Sequence, residues 1–432
     1  MDYQATLSYL DRVQEHGIKL ELRTIRALLA ALGNPQQAYP SIAVAGTNGK
    51  GSVCAFLASV LRAAGVRAGL YTSPHLVGYE ERIIVDGRLI SSGEFAEVLT
   101  VVRERIDGAL PAGGLPAHPT HFEILTAAAL EHFRRARVDA AVLEVGLGGR
   151  LDAVAAAGAR LAVITHVGLE HTQILGSTLE AIAGEKAGVV GEACRVVVTG
   201  ETHPGALASI REAAAARGAR LIEAAGPGQE AGMSVGLAGA HQRRNALVAA
   251  LAAEALHEAG VVTSPIPRAA IASGLASVRW PGRLQVVARD PLVVLDGAHN
   301  PDGCRALARW LREELEPSRR DRLCLVFGAL EDKEIEPMAR ALFPLAGRIV
   351  LTRGRSPRFR DPESLRGFAR ESGAEVAVLG EVSQALDDAR AWAGARGAVC
   401  LCGSLYLVGD ALAALGLDPY GSMTSVSPSS QR

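Results

Sequence analysis

Hydrophobic and polar positions along the 432-residue chain alternate in a way that predicts strands followed by helices. Short apolar runs such as 42–45 and 140–143 are typical of buried strands. Longer segments such as 53–64 carry apolar residues at every third or fourth position, which is typical of helices. Repeated strand–helix units with short connections predict a mostly parallel sheet with helices on both faces, an α/β fold.

Two such series occur, separated by the break Arg279-Trp-Pro-Gly-Arg283. A chain of 432 residues is too long for one compact core, so two domains are expected. We predict a domain at 1–282 and a smaller Rossmann-like α/β domain at 283–420, with a serine-rich, disordered tail at 421–432. In the second domain, strands are predicted at 292–295, 323–327, 349–352 and 398–401, and helices at 302–315, 335–343, 362–372, 383–395 and from 405.

Composition narrows the possible partners. The 45 Lys and Arg residues nearly balance the 46 Asp and Glu residues, and no basic block occurs, which argues against a nucleic-acid partner. The six cysteines are scattered without C-x-x-C pairs, so neither a zinc site nor disulfides are predicted. No signal segment and no run of about 20 apolar residues is present, so we expect no membrane association. The expectation is a cytoplasmic monomer.

The segment 41–65 is the centre of the first series. An apolar strand runs into Gly46-Thr-Asn-Gly-Lys-Gly-Ser52 and then into a helix. Backbone N–H groups at a helix start, close-approach glycines and a lysine form a phosphate cradle. Val44 and Gly51 depart from the usual G-x-x-x-x-G-K-[ST] pattern, and the alternative is a plain turn with a solvated lysine. The three glycines, the lysine and the hydroxyls favour nucleotide phosphate. The candidate ATP-binding residues here are Thr47, Asn48, Gly49, Lys50, Gly51 and Ser52.

Polar residues also follow neighbouring strands. Glu144 ends the apolar run 140–143, and an acid at such a position can hold Mg²⁺ beside phosphates. His171 lies just beyond the strand 161–165, and Ser73 follows another short strand. The alternatives are a solvated strand-end Glu, a structural histidine and a turn-capping serine. Lys186, near a helix end, has no role on these grounds alone.

The second series presents its own polar loop at a strand end. The apolar run 292–295 leads into Asp296-Gly-Ala-His-Asn-Pro301, at the position where open α/β sheets bind ligands. Asp296, His299 and Asn300 could therefore bind ribose, phosphate or an amino acid, or simply form a hydrogen-bonded turn. Arg283, at the predicted domain junction, could meet phosphate. Ser404 follows the last strand in the same way.

Taken together, these motifs resemble the folylpolyglutamate synthase and dihydrofolate synthase family of the Mur ligase superfamily. The extra glycine in Gly-Lys-Gly-Ser is that family's own form of the phosphate loop. The matching segments span nearly the whole chain. They are Gly46–Ser52, Thr72–Leu76, Glu81–Ile83, Gly146–Asp152, Glu185–Gly188, His241-Gln with Asn245-Ala246, Pro281–Arg283, Asp296–Pro301, Asp332-Lys333 and Gly403–Gly409.

The resemblance implies specific roles. Magnesium ligands would be Ser73, Glu144 and His171, and Lys186 would carry a carbamate and act in catalysis with Lys50 and His299. ATP would also contact Asn245, Arg283 and Asp296. The substrate would lie near Pro119, Thr120, His121, Phe122, Leu151, Asp152 and Ala153, with Ser404 added from the second domain. Two departures from the family pattern occur. Val154-Ala155 replaces Thr-Asn, which puts substrate contacts in question, and Glu170 replaces Asp.

The implied activity is an ATP- and Mg²⁺-dependent ligation of L-glutamate to dihydropteroate or to reduced folates through an acyl phosphate. Two alternatives remain open at this point. One is a Mur ligase that builds peptidoglycan precursors, and the other is a non-catalytic ATP-binding switch. The sequence leaves open whether the chain makes dihydrofolate, extends folate polyglutamates or does both.

Overall fold

The computed structural model describes residues 1–14, 17, 19–224, 228 and 232–420. The tail at 421–432, predicted to be disordered, lies outside them. The chain divides into two compact units. The first is Met1–Pro74, Tyr79–Gly236 and His241–Arg279, and the second is His75–Gly78, Leu237–Ala240 and Trp280–Arg432. Two four-residue segments thus belong with the second unit although they precede the single predicted boundary in the sequence. Among the described residues, no helix is long and apolar enough to cross a membrane.

The first unit contains an eight-stranded sheet in the order β4-β3-β2-β5-β1-β6-β7-β8. Its strands are β1 Ser41–Ala45, β2 Ala68–Tyr71, β3 Ile83–Val85, β4 Arg88–Leu89, β5 Ala140–Glu144, β6 Leu161–Ile164, β7 Val196–Thr199 and β8 Arg220–Glu223. Pairing is parallel except for β2 with β3 and β3 with β4. Every residue of β1 and β5 is buried, which explains their continuous apolar runs.

Helices cover this sheet. They are α1 Tyr3–Gln14, α2 Arg23–Ala31, α3 Lys50–Ala63, α4 Ser92–Ala109, α5 His121–Arg135, α6 Thr172–Leu175, α7 Leu179–Ala187, α8 Pro204–Ala216, α9 Ala240–Ala255 and α10 Arg268–Ser277. Capping boxes fix where α4 and α5 begin. Ser91 pairs with Glu94 and Thr120 with Glu123, so that side chain and backbone satisfy each other at both helix starts.

The second unit contains a six-stranded sheet in the order β13-β12-β11-β14-β10-β9. Its strands are β9 Gln285–Arg289, β10 Leu292–Leu295, β11 Leu323–Phe327, β12 Arg348–Leu351, β13 Glu375–Val378 and β14 Ala398–Cys402. Its helices are α11 Pro301–Glu313, α12 Pro317–Arg320, α13 Ile335–Leu342, α14 Pro362–Arg370, α15 Val382–Ala393 and α16 Leu405–Ala414. All strand pairs are parallel except β9 with β10. The predicted α/β class is confirmed in both units.

Three strands were not predicted from the sequence: β8, β9 and β13. Each lies at the edge of its sheet, and none has a single fully buried residue. An edge strand is covered less completely, so its sequence need not show an apolar run or a clear alternation.

Candidate functional site

The turn between β1 and α3 depends on two glycines in conformations that other residues rarely adopt. Gly46 has φ 148° and Gly49 has φ 89°. A Cβ on Gly46 would lie 1.8 Å from Thr165 Oγ1, and one on Gly49 would lie 2.5 Å from Asn245 Oδ1. Because neither position has room for a side chain, the backbone of the turn comes close to its neighbours where it leads into the start of α3.

A second layer of backbone supports this turn from the end of β6. The amide of Thr47 donates to the carbonyl of His166 at 2.7 Å. The Thr47 hydroxyl donates to the Gly168 carbonyl at 3.1 Å and accepts from the Gly168 amide at 3.0 Å. Thr165 Oγ1 donates to the carbonyl of Asn48 at 2.7 Å. This support was not predicted from the sequence, although residues 165–168 follow a buried strand just as the phosphate loop does.

Two lysines converge on one carbonyl of the loop. Lys50 Nζ donates to the carbonyls of Gly46 and Thr47, each at 3.1 Å. Lys186 Nζ donates to the same Gly46 carbonyl at 2.9 Å. Lys186 is only 5% exposed, and burial, with the nearby Lys50 charge, lowers its pKa to about 7 against the attraction of Glu170 and Asp152. The sequence alone gave Lys186 no role, because its partner lies 140 residues away.

Glu144 lies beside the phosphate loop, at the end of β5. In the parallel pairing of β1 with β5, Val44 is opposite Glu144, which is 5% exposed. Its Oε2 accepts from the backbone amide of Ser73 at 3.1 Å, so these two predicted metal ligands are neighbours. His171 is exposed and has φ 52°, immediately before α6. Within the described part of the chain, no group of three or more His, Cys, Asp or Glu residues could hold a metal.

Asn245, the predicted ATP contact in α9, lies against the phosphate loop. Its Oδ1 occupies the space that a side chain at Gly49 would need. Its Nδ2 donates to Gln242 Oε1 at 3.0 Å, which orients the amide. The structure therefore brings Asn245 to the loop 46–52, as a nucleotide contact requires.

The predicted substrate residues around the start of α5 have mixed environments. Thr120 caps α5, accepting from the amide of Glu123. His121 Nε2 lies 3.1 Å from the hydroxyl of Tyr79, and burial, then the Arg82 charge, lowers the pKa of its imidazole to about 4. Phe122 covers Gly146, where a Cβ would approach the ring to 2.7 Å. Pro119 is buried ahead of them. His121 is thus an uncharged imidazole at neutral pH.

Asp152 closes the loop that follows β5. Its Oδ2 accepts from the amides of Gly146 and Leu147 at 3.1 and 2.9 Å, and its Oδ1 accepts from Val154 at 2.9 Å. Burial nevertheless raises its pKa to about 6. This carboxylate therefore has a structural function that the sequence analysis did not foresee. The two residues beside Asp152 that were also predicted to contact the substrate differ in exposure: Leu151 is 38% exposed, and Ala153 is 5% exposed.

In the second unit, the polar residues of the loop 296–300 are largely bound to backbone. Asp296 accepts from the amides of Leu284 and Ala298, each at 2.9 Å. Asn300 caps α11 by accepting from the Gly303 amide at 2.8 Å, and His299 Nδ1 lies 2.7 Å from the Gly297 carbonyl.

The two remaining predicted residues of the second unit are also tied to nearby backbone. Ser404 is 2% exposed and caps α16 through the amide of Tyr406. Arg283 Nη1 donates to the Gly282 carbonyl at 3.1 Å, and its side chain remains partly exposed.

Comparison with known protein families gives two matches. Residues 44–200 match the Mur ligase middle domain, and residues 282–405 match the Mur ligase, glutamate ligase domain. Solved structures of folylpolyglutamate synthases are similar to this chain in both sequence and fold. Mycobacterium tuberculosis folylpolyglutamate synthase complexed with ADP and AMPPCP is 31% identical, with a TM-score of 0.87 over 97% of this chain and 100% of that chain. The bifunctional folylpolyglutamate synthase/dihydrofolate synthase with Mn, AMPPNP and L-glutamate bound is also 31% identical, with a TM-score of 0.81 over 96% and 98%.

Relatives in sequence include folylpolyglutamate synthases as well. The probable bifunctional folylpolyglutamate synthase/dihydropteroate synthase of Halobacterium salinarum is 39% identical, over 95% of this chain and 51% of that protein. The chain thus spans about half the length of its halobacterial relatives. The dihydrofolate synthase/folylpolyglutamate synthase of Bacillus subtilis is 34% identical, over 94% of this chain and 98% of that protein. The chain therefore belongs to the folylpolyglutamate synthase/dihydrofolate synthase family of Mur ligases.

Proposed function

We propose that the chain is an ATP-dependent carboxylate–amine ligase that adds L-glutamate to dihydropteroate, to reduced folates or to both. The observation that carries this proposal is the phosphate loop, where the side-chain nitrogens of Lys50 and Lys186 both donate to the backbone carbonyl of Gly46. Such a loop suits a triphosphate. The names of the relatives favour folate substrates over the peptidoglycan alternative.

In the proposed first step, a carboxylate oxygen of the folate substrate attacks the γ-phosphorus of ATP. The bond to the bridging oxygen breaks, ADP leaves, and an acyl phosphate forms. Lys50 would neutralise charge on the transferring phosphoryl group, its ammonium donating to phosphate oxygens in place of the Gly46 and Thr47 carbonyls to which it now donates.

In the second step, the neutral amine of glutamate attacks the acyl carbon. The tetrahedral intermediate loses inorganic phosphate and a proton, and an amide remains. Phosphate is a far better leaving group than the oxide of a carboxylate, which is why ATP is consumed.

The donor set near the loop fits Mg²⁺. The Glu144 carboxylate is buried beside the phosphate loop and next to Ser73, and Mg²⁺ prefers oxygen ligands supplied by one or two protein groups, phosphates and water. We propose that Glu144 and Ser73 hold this ion with His171. When bound, it would neutralise phosphate charge.

Lys186 fits the carbamate that the family resemblance implies. Carbamate formation needs a neutral amine and CO₂, and an ordinary lysine is almost wholly protonated at neutral pH. With its pKa near 7, the Lys186 side chain is in large part neutral under those conditions. Burial therefore supports the proposed modification.

We also propose that the reaction occurs in the cytoplasm. All six cysteines are free and buried, as is usual in proteins of reducing compartments.

Phosphate release from ATP tests the proposal. Purified protein is assayed with dihydropteroate or tetrahydrofolate, each with and without L-glutamate, and products are identified by mass spectrometry. We expect phosphate release to require both a folate-type substrate and glutamate, with a mass gain of one glutamyl residue. Turnover that depends on neither, or that responds to a UDP-linked acceptor instead, would show that the proposal is wrong.

A further inference from the structure

The glycine loop, residues 146–152, is in backbone contact with the end of α7. A Cβ on Gly149 would lie 2.3 Å from the backbone oxygen of Lys186, and one on Gly188 would lie 2.4 Å from Cβ of Arg150. Real Cβ atoms do not come this close to other atoms. The two segments therefore meet at a distance that only glycine permits, once at the backbone of Lys186 itself and once at Gly188, two residues later.

Arg150 adds three hydrogen bonds across this contact. Its amide donates to the Glu185 carbonyl at 2.9 Å, and Nη2 donates to the Gly184 carbonyl at 3.2 Å. Its Nε lies 3.1 Å from Glu185 Oε1 in an ion pair. A cation that donates to carbonyls in the last turn of a helix also interacts favourably with the helix dipole. One residue thus anchors the two positions that immediately precede Lys186.

Lys186 is fixed at its other end by the phosphate loop, through the hydrogen bond to the Gly46 carbonyl. Its helix, α7, has only nine residues, with a Thr178 cap at the far end. A helix this short has little stability of its own, so its last turn is held by tertiary contacts. Those contacts include the ones made by Gly149 and Arg150.

We propose that Arg150 is a positioning residue that holds the last turn of α7 and thereby fixes Lys186 at the phosphate loop. This inference rests on the proposed function, in which Lys186 takes part in ligation. Asp152 belongs to the same glycine loop and closes it on the amides of Gly146 and Leu147. The loop therefore joins the predicted substrate residues to Lys186.

The first arm of the test is kinetic. Arg150→Ala is expected to lower kcat about tenfold with KM for ATP within about twofold, because small displacements of a reacting group are costly. Arg150→Lys, which can keep the ion pair, should recover part of the loss. The matched control is Arg211→Ala, which removes an ion pair of nearly the same exposure, 55%/35% against 54%/35%, elsewhere in the unit. It should retain parental kcat.

The second arm needs no turnover. Reductive methylation with formaldehyde, followed by peptide mass spectrometry, measures how accessible the Lys186 amine is. We expect several-fold faster labelling of Lys186 in Arg150→Ala and in Gly188→Ala, whose φ of −60° suits alanine, so that only the contact with Arg150 is disturbed. Arg211→Ala should label as the parent does.

The two arms separate this inference from the proposed function. Lys186 labelling that stays at the parental rate in both Arg150→Ala and Gly188→Ala would overturn the inference, whatever the enzyme does. An equal loss of kcat in Arg211→Ala would overturn it too, because the effect would then be general destabilisation. Faster labelling in a protein without ligase activity would support the positioning contact while refuting the ligase.

Discussion

The phosphate loop of the first unit and the loop 296–300 of the second unit occupy equivalent places, each directly after an inner strand of its sheet, yet they use polar side chains differently. At the first loop, Lys50 and Lys186 share one backbone carbonyl, and burial lowers the pKa of Lys186 to about 7. At the second, Asp296 and Asn300 accept hydrogen bonds from nearby amides. The first loop holds two lysine side chains close together, one of them buried, which is energetically unfavourable. In the second loop, the polar side chains are bound to backbone amides, which makes that loop rigid.

The difference indicates where chemistry is concentrated. Two lysine side chains near one oxygen repel each other when both are protonated, and this repulsion adds to burial in lowering the pKa of Lys186. The Asp296 carboxylate, in contrast, already has hydrogen-bond donors, because it accepts hydrogen bonds from two backbone amides. We therefore expect substitutions at the first loop to reduce activity with little effect on folding, and cap substitutions in the second unit to reduce stability first.

The largest expected effect is at Lys50. Lys50→Ala should reduce ligase activity about 100-fold or more, because the transferring phosphoryl group loses a cation of the loop. Activity is measured as substrate-dependent phosphate release, with circular dichroism as the control for folding. Near-normal turnover by a folded variant would contradict the assignment of this loop.

Lys186→Ala should lower ligation at least about tenfold and leave ATP binding nearly intact, because the side chain donates to the loop from a neighbouring helix. Binding is measured by calorimetry with ADP. Short carboxylic acids such as formate should restore part of the activity if a carbamate is the missing group. A variant that loses ADP affinity and ligation together would instead place Lys186 in nucleotide binding.

Glu144→Gln should raise the Mg²⁺ concentration for half-maximal activity about tenfold, because an amide oxygen is a weaker ligand than a carboxylate. His171→Ala should raise it less, since that side chain is exposed. Titrating activity against Mg²⁺ separates the two. Unchanged curves for both variants would show that the ligands lie elsewhere.

The pH dependence of stability tests the buried amine directly. The Lys186 pKa falls from 10.5 to about 7 on folding, so between these values the unfolded chain binds more protons and stability rises with pH. Relative to Lys186→Met, the parent should gain up to about 1.4 kcal/mol in free energy of unfolding per pH unit above pH 7. Urea titrations at several pH values measure this gain. Parallel pH profiles would mean that Lys186 is not held in a low-pKa environment.

The smallest effect is expected in the second unit. Ser404→Ala should cost about 1 kcal/mol in free energy of unfolding, because α16 loses its N-cap. Ser404→Asn keeps a capping oxygen and should recover most of that stability. If Ser404 also binds substrate, KM for glutamate will stay raised in Ser404→Asn. A KM that recovers along with stability would limit Ser404 to its structural role.

The sequence by itself determined the α/β class, the phosphate loop and the family. Buried parallel strands need continuous apolar runs, and a phosphate cradle needs glycines and a lysine at short spacing. Both patterns involve residues that are close together in the sequence, so both can be recognised from it. Strands β8, β9 and β13 were not recoverable in this way, because they lie at sheet edges and lack a fully buried residue.

Only the tertiary structure decided which polar residues meet. Lys186 reaches Gly46 across 140 positions, and Thr165 to Gly168 support the phosphate loop from a separate strand. Asp152, Asp296 and Ser404 stay predicted ligand contacts, and the structure adds that each accepts a hydrogen bond from a backbone amide. Burial and pKa depend on everything packed around a group, and those neighbours come from distant parts of the chain.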